Sequence, residues 1–568
     1  MSVRVASALR EALADGYDRA SFRADLLAGA VVGVVALPLS MALAIAVGVP
    51  PQHGLYTAIV AGAVAALLGG SRTQVTGPTA AFVVILAPIV SEHGLPGLLT
   101  AGFMAGGILV LAGLFGMGSL IRLVPYPVTT GFTTGIAVVI ATLQVRDVLG
   151  LQTGALPDAF HEKVGALWNA RHTASLLELS VAALTFALLL GLPRVVKRVP
   201  APLLAIGGAS TVAFGLQAFD PGLEVATIGS RFHTVIDGVA VAGIPSVLPR
   251  PALPWDGGPG LADLRALLPA ALTIAALGAI ESLLSAVVAD GMTGHRHDPD
   301  AELVGQGVAN LVAPFFGGIA ATGALARTAT NVRSGARSPL ASVTHAVVVL
   351  GVMVAAAPLV AYIPMASLAA LLVLVAWNMA EVPHFLQIVR IGPKSDIAVL
   401  LTCFGLTVAF DMIWAVGVGF VLASLLFMRR MAELSESRFL DAGDGPGFPE
   451  LGPGTVLYRV EGPLFFGAAR KAMDALHASR SDAFTTLVLD LGRVPVIDTT
   501  GFVALHGSIA SLRSQGKTVV LLGPLPPPSG LWDRARAEGL LDEVHVAGSF
   551  DDPIVETLVR AATATARP

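Results

Sequence analysis

The sequence predicts an all-α polytopic membrane protein of 14 transmembrane segments, arranged as two seven-helix inverted repeats with two half-helices, followed by a small cytoplasmic α/β domain. Three observations carry this. Only 13% of the 568 residues are Asp, Glu, Lys or Arg and 54% are hydrophobic, against about 25% charged in an ordinary soluble domain. From Leu26 to Gly70 no Asp, Glu, Lys or Arg interrupts the chain, more than two lengths of the roughly 20 residues that cross a bilayer core. The third apolar segment of each half is short and glycine-led, and beyond Arg430 the composition becomes that of a soluble domain. The 62 glycines and 37 prolines are spread through apolar stretches, which suits packed and interrupted membrane helices and excludes collagen and disorder.

Residues 1–25 form a cytoplasmic segment that mixes Arg4, Arg10, Arg19 and Arg23 with Glu11, Asp15, Asp18 and Asp25. It has no short apolar region with a cleavage site, so no signal peptide is expected. The membrane part is expected over 26–430. Its first repeat, about 26–220, holds apolar segments at 26–48, 55–68, 77–90, 97–118, 124–143, 174–192 and 201–220. A polar, Pro-rich stretch, 221–264, separates it from the second, about 266–430, with segments at 266–289, 302–316, 318–332, 339–362, 364–379, 396–412 and 413–428. An even count puts both termini on one face, and positive charge chooses which. The turns assigned to the cytoplasm hold Arg122, then Arg194, Lys197 and Arg198, then Arg333 and Arg337, then Arg390 and Lys394, and finally Arg429 and Arg430. A bacterial cytoplasmic (inner) membrane with both termini inside is the expected location.

Segments 77–90 and 318–332 would each span about 20 Å as helices, short of the roughly 30 Å hydrocarbon core. They are led by TQVTGPTAAF (73–82) and FFGGIAATGALART (315–328). Short, broken segments at matching positions of two halves point to an inverted-repeat transporter with its site between two half-helix N-termini. A linker over 431–454, acidic and Gly/Pro-rich from 441, leads to a domain over 455–568 in which TVLYRVEG, TTLVLDLG and TVVLLG alternate with helices near 468–479, after Asp498 and near 531–540. Alternating strands and helices give a small α/β fold.

A lone charge at membrane depth is costly and therefore a functional candidate. Glu281 is the one charged residue between Arg265 and Asp290. Its carboxyl can carry a coupling proton through a transport cycle, or serve as a structural group bonded to a neighbouring helix. Arg327 is the one charge between Glu302 and Arg333, in the opening turn of the second broken helix. There a guanidinium beside a positive dipole end attracts anions, or pairs internally with Glu281. The facing stretch offers free backbone N–H groups and the hydroxyls of Thr76 and Thr79, with Pro78 suited to a helix start. Ala80 and, in the second half, Ala326 and Thr328 complete the two tips.

Other features exclude function classes. The net charge of -4 with no basic stripe speaks against nucleic acid. Cys403 is the single cysteine, and His295 and His297 in GHRHDPD have no further ligands at metal spacing, so no metal or cofactor is expected. SLRSQGKT (511–518) lacks the first glycine of a phosphate loop, and no catalytic constellation appears, so the chain is not read as an enzyme. Asp498, Thr499 and Thr500 precede a helix and most simply cap it.

These residues resemble the SulP (sulfate permease, solute carrier 26) family. The likeness runs through ALPLSMALAIAVGVPPQHGLYTA (36–58), GGSRTQVTGPTAAFVVIL (69–86), GAIESLLSAVVADGMTG (278–294), the stretch 302–339 and LASLLFMRR (422–430). The C-terminal domain looks like the STAS domain of that family through VLDLGRVPVIDTTG (488–501). Among its members the chain looks most like bacterial C4-dicarboxylate transporters, with cyanobacterial bicarbonate transporters second. The resemblance implies a moving core domain and a gate domain, elevator-type alternating access, a site between the third and tenth helices, and a homodimer. Carried over by residue, it puts Thr79 and Ala80, Arg327 and Thr328, Glu281, and Ser40 or Met41 at the substrate. Leu39 stands where many relatives have glutamine, which weakens a sulfate assignment. Thr500 matches a hydroxyl that is phosphorylated in related anti-sigma-factor antagonists.

The expected function is therefore a proton-coupled symporter in the lipid bilayer importing small anions, C4-dicarboxylates such as succinate or fumarate first. The alternatives are sodium-coupled bicarbonate or sulfate transport and, of another class, an anion channel or a membrane-tethered STAS sensor. A cytoplasmic partner of the STAS domain is a further expectation.

Overall fold

The computed structural model describes residues 5–553 except 155, 158, 197–199, 221, 237–238, 259–263, 411, 434, 441–453, 481–483, 526–527, 542–543 and 550–551. Lys197 and Arg198, most of the expected linker and the end of the C-terminal domain lie outside the described residues. The chain forms two compact units, 1–420 and 421–568.

The first unit is helical. In order it has α1 (Ser7–Ala14), α2 (Arg19–Val47), α3 (Pro51–Leu68), β1 (Thr76–Gly77), α4 (Ala80–Leu114), α5 (Tyr126–Val148), α6 (Phe160–Asn169), α7 (Leu176–Val195) and α8 (Ala201–Phe219). Then come α9 (Ile228–Arg231), the hairpin β2 (His233–Ile236) and β3 (Val239–Ala242), α10 (Leu264–Thr293), α11 (Pro299–Val312), β4 (Thr322–Gly323), α12 (Leu325–Arg333) and α13 (Leu340–Val360). It closes with α14 (Met365–Met379), α15 (Val382–Ile391), α16 (Lys394–Ala409) and the start of α17 (Met412–Glu433).

Among the described residues, nine helical runs are long and apolar enough to cross a membrane, so the protein is multi-pass. The count is below the fourteen expected segments for identifiable reasons. α4 is a single run of hydrogen bonding that holds two arms, because Gly94 takes φ 64° and ψ -172° inside it. That backbone conformation suits only glycine, and it separates the expected segments at 77–90 and 97–118. The expected 318–332 helix is only nine residues long, starting at Leu325, because the residues before it pair as β4. α11 begins at Pro299, earlier than expected, with the Asp298 carboxylate accepting the Ala301 N–H at 3.1 Å.

Packing mixes the two halves of the sequence. α2, α3 and α4 pack with α10, α11, α12 and α13, while α5 and α7 pack with α14 and α16, and α8 lies against α7. Close approach between α4 and α11 depends on glycine: a Cβ on Gly106 would lie 2.6 Å from the Leu311 nitrogen, and one on Gly307 would lie 2.6 Å from the Val110 nitrogen. Small residues let membrane helices approach to backbone contact. Gly106→Val should therefore force the pair apart and cost about 1–3 kcal/mol, read as a lower unfolding midpoint in detergent. An unchanged midpoint would refute this role.

The N-terminal segment is tied to α2 and the turn after α12. Asp25, 1% exposed, accepts from the Tyr17 hydroxyl (2.8 Å), the Arg337 N–H (2.6 Å) and the Ser338 hydroxyl (2.5 Å). Burial, then the bond to Asp25, pushes the Tyr17 hydroxyl up to about 12.

The second unit follows the alternation read in the sequence, with one strand added at each edge. It comprises β5 (Glu436–Leu440), β6 (Thr455–Glu461), α18 (Phe466–Arg480), β7 (Thr486–Arg493), α19 (Thr499–Ser514), β8 (Thr518–Leu522), α20 (Ser529–Ala537) and β9 (His545–Ala547). The sheet order is β5-β6-β7-β8-β9, antiparallel at β5–β6 and parallel elsewhere. Tyr458, Leu487, Leu489, Leu505, Ile509 and Trp532 lie in its core. The Asp498 carboxylate caps α19 by accepting the Gly501 N–H at 2.6 Å, and Thr500 is exposed beside it.

Candidate functional site

The two short segments meet through their backbones. β1 and β4 both read Thr-Gly and pair antiparallel, Thr76 opposite Gly323 and Gly77 opposite Thr322. The pairing continues as the Ala324 N–H donates to the Val75 carbonyl at 2.8 Å. Each strand feeds a helix start, α4 after Thr79 and α12 after Ala324, and neither start has a side-chain cap. The first N–H groups of an uncapped helix are unmatched, and two positive dipole ends brought together make an anion-attracting point.

Around these tips the residues divide into an open face and a scaffold. Thr79 and Glu281 are half-buried, Leu325 is 48% exposed, Ala326 is exposed and Ala80 is buried. The Thr79 hydroxyl donates to Glu281 Oε2 at 2.9 Å. Thr76 and Thr328, by contrast, are buried and their hydroxyls are engaged: Thr76 Oγ1 accepts from Gln306 Nε2 at 2.6 Å, and Thr328 Oγ1 accepts from the Val75 N–H at 3.0 Å and the Ser285 hydroxyl at 3.1 Å. Ser282 adds a further tie, accepting the Gly323 N–H at 3.0 Å and bonding the Thr322 hydroxyl at 2.8 Å. Ser40 and Met41 are wholly enclosed, Ser40 Oγ has no hydrogen-bond partner, and no hydrogen bond joins either to the tips.

Arg327 is 2% exposed. Its Nη2 donates to the Pro78 carbonyl, and a Cβ on Gly77 would lie 2.5 Å from its Nη1, so glycine is what makes room for the guanidinium. Among the described residues no carboxylate lies within ion-pair distance of Arg327. The internal Arg327–Glu281 salt bridge left open by the sequence is not formed, because Glu281 bonds to Thr79 while Arg327 lies against Gly77 and Pro78.

Sequence reading missed the group that fixes these parts. Glu302, on α11, is 2% exposed and accepts four hydrogen bonds: from the Gly70 (2.9 Å) and Ser71 (3.0 Å) N–H groups, Gln74 (2.6 Å) and Gln306 (2.9 Å). Four donors converging on two oxygens suit an ionised carboxylate. Gln306 extends the network to Thr76, and Asn310 bonds the backbone of Ala321 through both amide atoms. The signal was the 302–310 spacing, which puts Glu302, Gln306 and Asn310 on one helix face. Glu302→Gln should turn an NH2 toward donors and cost about 3 kcal/mol. The readout is the unfolding midpoint of purified protein, and a wild-type value would remove Glu302 from this role. His297, in the loop after α10, bonds Asp290 at 2.7 Å.

The geometry can be set beside known proteins. The sequence profile of the sulfate permease family matches residues 22–403, and that of the STAS domain matches residues 450–552. The Bacillus subtilis protein named "Putative sulfate transporter YvdB" is 40% identical over 539 residues, covering 94% of this chain and 97% of that protein. The bicarbonate transporter BicA of Picosynechococcus is 30% identical, covering 89% of each. Among solved structures, the murine solute carrier 26 family member A9 anion transporter in the inward-facing state aligns with TM-score 0.83 at 17% identity, over 98% of this chain and 94% of that one, a likeness of fold. The transmembrane domain of a cyanobacterium bicarbonate transporter, BicA, aligns with TM-score 0.60 at 28% identity, over 72% of this chain and 98% of that one.

Proposed function

The chain belongs to the sulfate permease family, and from its standing as an anion transporter of that family we propose that it is a proton-coupled symporter importing a small oxyanion by elevator-type alternating access. One observation carries the reading: a buried guanidinium with no carboxylate partner among the described residues, set against two facing, uncapped helix N-termini. An unpaired buried charge is strongly unfavourable, and a bound anion relieves it. In this reading Thr79 and Ala326 offer the open face, Ala80 lies buried at the α4 tip behind it, Arg327 supplies the charge, and Thr76 and Thr328 hold the tips in place. Ser40 and Met41 would reach the substrate only in another conformation of the cycle. Glu281 carries the coupling proton, which lowers the net charge moved with the anion. The proposed setting is a cytoplasmic membrane with both termini inside, as a homodimer, and Thr500 as a surface hydroxyl open to modification or to a partner of the STAS domain.

The substrate is the finer question. C4-dicarboxylates such as succinate and fumarate fit two half-helix dipoles and one cation, whereas the names of the relatives favour sulfate or bicarbonate. In the sodium-coupled alternative, the Glu281 carboxylate takes the cation in place of a proton. The experiment is uptake into proteoliposomes of labelled succinate, fumarate, bicarbonate and sulfate under separately imposed proton and sodium gradients. Accumulation of one anion driven by the proton gradient supports the reading, sodium dependence at constant pH replaces the coupling ion, and liposomes impermeable to all four overturn it.

A further inference from the structure

Residues 225–236 and 239–258, between the two halves of the sequence, are fastened at both ends. The first end is tied to α7 and to the chain that passes from α13 to α14. The Ala226 N–H donates to Glu178 Oε1 at 2.7 Å, and the Ala226 carbonyl accepts the Met365 N–H at 2.8 Å. The Ile228 and Gly229 N–H groups donate to the Ile363 (3.0 Å) and Ala361 (2.8 Å) carbonyls, and Thr227 bridges Pro364 antiparallel. Val225 is buried among Val181, Ala182, Ala213 and Ala366, side chains of α7, α8 and α14.

The second end lies on the other helix group. The Ala252 N–H donates to the Phe315 carbonyl at 2.7 Å, and the Trp255 ring meets Phe103 of α4 and Phe315 edge-on, with centroids 5.6 and 6.0 Å away. Between the ends the β2–β3 hairpin reaches α3, where Gln52 Nε2 donates to the Thr234 hydroxyl at 3.3 Å. The segment thus crosses from the group of α5, α7, α8, α14 and α16 to that of α2, α3, α4 and α10 to α13. The two attachments are unequal. The first has four N–H donors, one of them bonded to a carboxylate, and such charge-assisted bonds are the stronger kind. The second has one backbone bond and a Trp ring that is 40% exposed, and the bond to Gln52 is long for an N–H donor. When the groups separate, the contacts with α3 and α4 give way first.

We propose that this segment is a strap that holds the present conformation: it stays with α7 and α14, closes on the start of α3, and releases α3 and α4 when the helix groups shift. This rests on the reading of alternating access as movement of one helix group against the other, and goes beyond it by naming the contacts that each cycle must break.

The test uses the full chain with Cys403→Ala, Gln52→Cys and Thr234→Cys, bridged by a short bifunctional methanethiosulfonate that a reductant removes. Uptake is read with whichever of labelled bicarbonate, sulfate or succinate the wild type accumulates fastest. Bridging, confirmed by peptide mass, should stop uptake, and reduction should restore it, while variants with one of the two substitutions are unaffected by the reagent. A second pair, Phe103→Cys with Trp255→Cys, is read in the same way and takes over if the first is inactive before bridging. Undiminished uptake by a bridged pair overturns the strap. Spin labels on Leu111→Cys of α4 and Leu190→Cys of α7, both exposed positions, report the separation of the groups with and without saturating anion. A separation that shifts while a bridged pair transports normally sinks the strap alone, and an unchanged separation overturns the reading of moving helix groups.

Discussion

Arg327→Gln should raise the KM for the transported anion by about two to three orders of magnitude. A unit charge at about 4 Å under an effective dielectric of about 20 is worth about 4 kcal/mol, and every 1.4 kcal/mol is about tenfold in affinity. Glutamine ends two bonds short of the Nη2 that donates to the Pro78 carbonyl, so the unfolding midpoint is measured beside KM to separate lost binding from lost folding. Arg327→Lys should fall between the two, since it keeps the charge and loses the planar fork. Uptake kinetics in proteoliposomes measure this directly. An Arg327→Gln transporter with wild-type KM would show that the helix dipoles alone hold the anion.

Glu281→Gln should abolish accumulation driven by a pH gradient while exchange of internal for external anion survives. The amide oxygen still accepts the Thr79 hydroxyl, which leaves the geometry of the open face intact, but the group no longer takes up and releases a proton. The two assays, run on the same vesicles, separate coupling from binding. Undiminished gradient-driven accumulation would remove Glu281 from the proton path, and an equal loss of exchange would make it a binding group instead. Thr79→Val is the companion variant: it deletes the hydrogen bond from Thr79 to Glu281 and should weaken coupling less than Glu281→Gln does.

The elements most legible in the sequence were those whose signal is local. Charge-free runs such as Leu26 to Gly70 demand burial in lipid whatever the fold, and alternating strands and helices after residue 454 name an α/β domain without reference to anything distant. Glu281 and Arg327 stood out for the same reason, as isolated charges in apolar surroundings. The Thr-Gly pairs at 76–77 and 322–323 were also present, but two residues are too short a repeat to notice until the backbone pairs them. The edge strands β5 and β9 and the short helices α1, α6 and α15 were missed because their stability comes from tertiary contacts rather than from periodicity.

Glu302 shows where local reading stops. Glu302 sits at the start of a segment among other polar residues and looks like a boundary, yet its carboxylate gathers donors from Gly70, Ser71 and Gln74, more than two hundred residues away in sequence. The sequence by itself determined that this chain is a membrane transporter with two broken helices, a lone acid and a lone base, because lipid solvation penalises each charge and each unpaired backbone group one at a time. Which groups touch was decided only by the tertiary structure: that Glu281 bonds Thr79 and Arg327 has no carboxylate partner among the described residues follows from how two distant helix starts pair through four backbone residues, and pairing across such a separation leaves no trace in local composition.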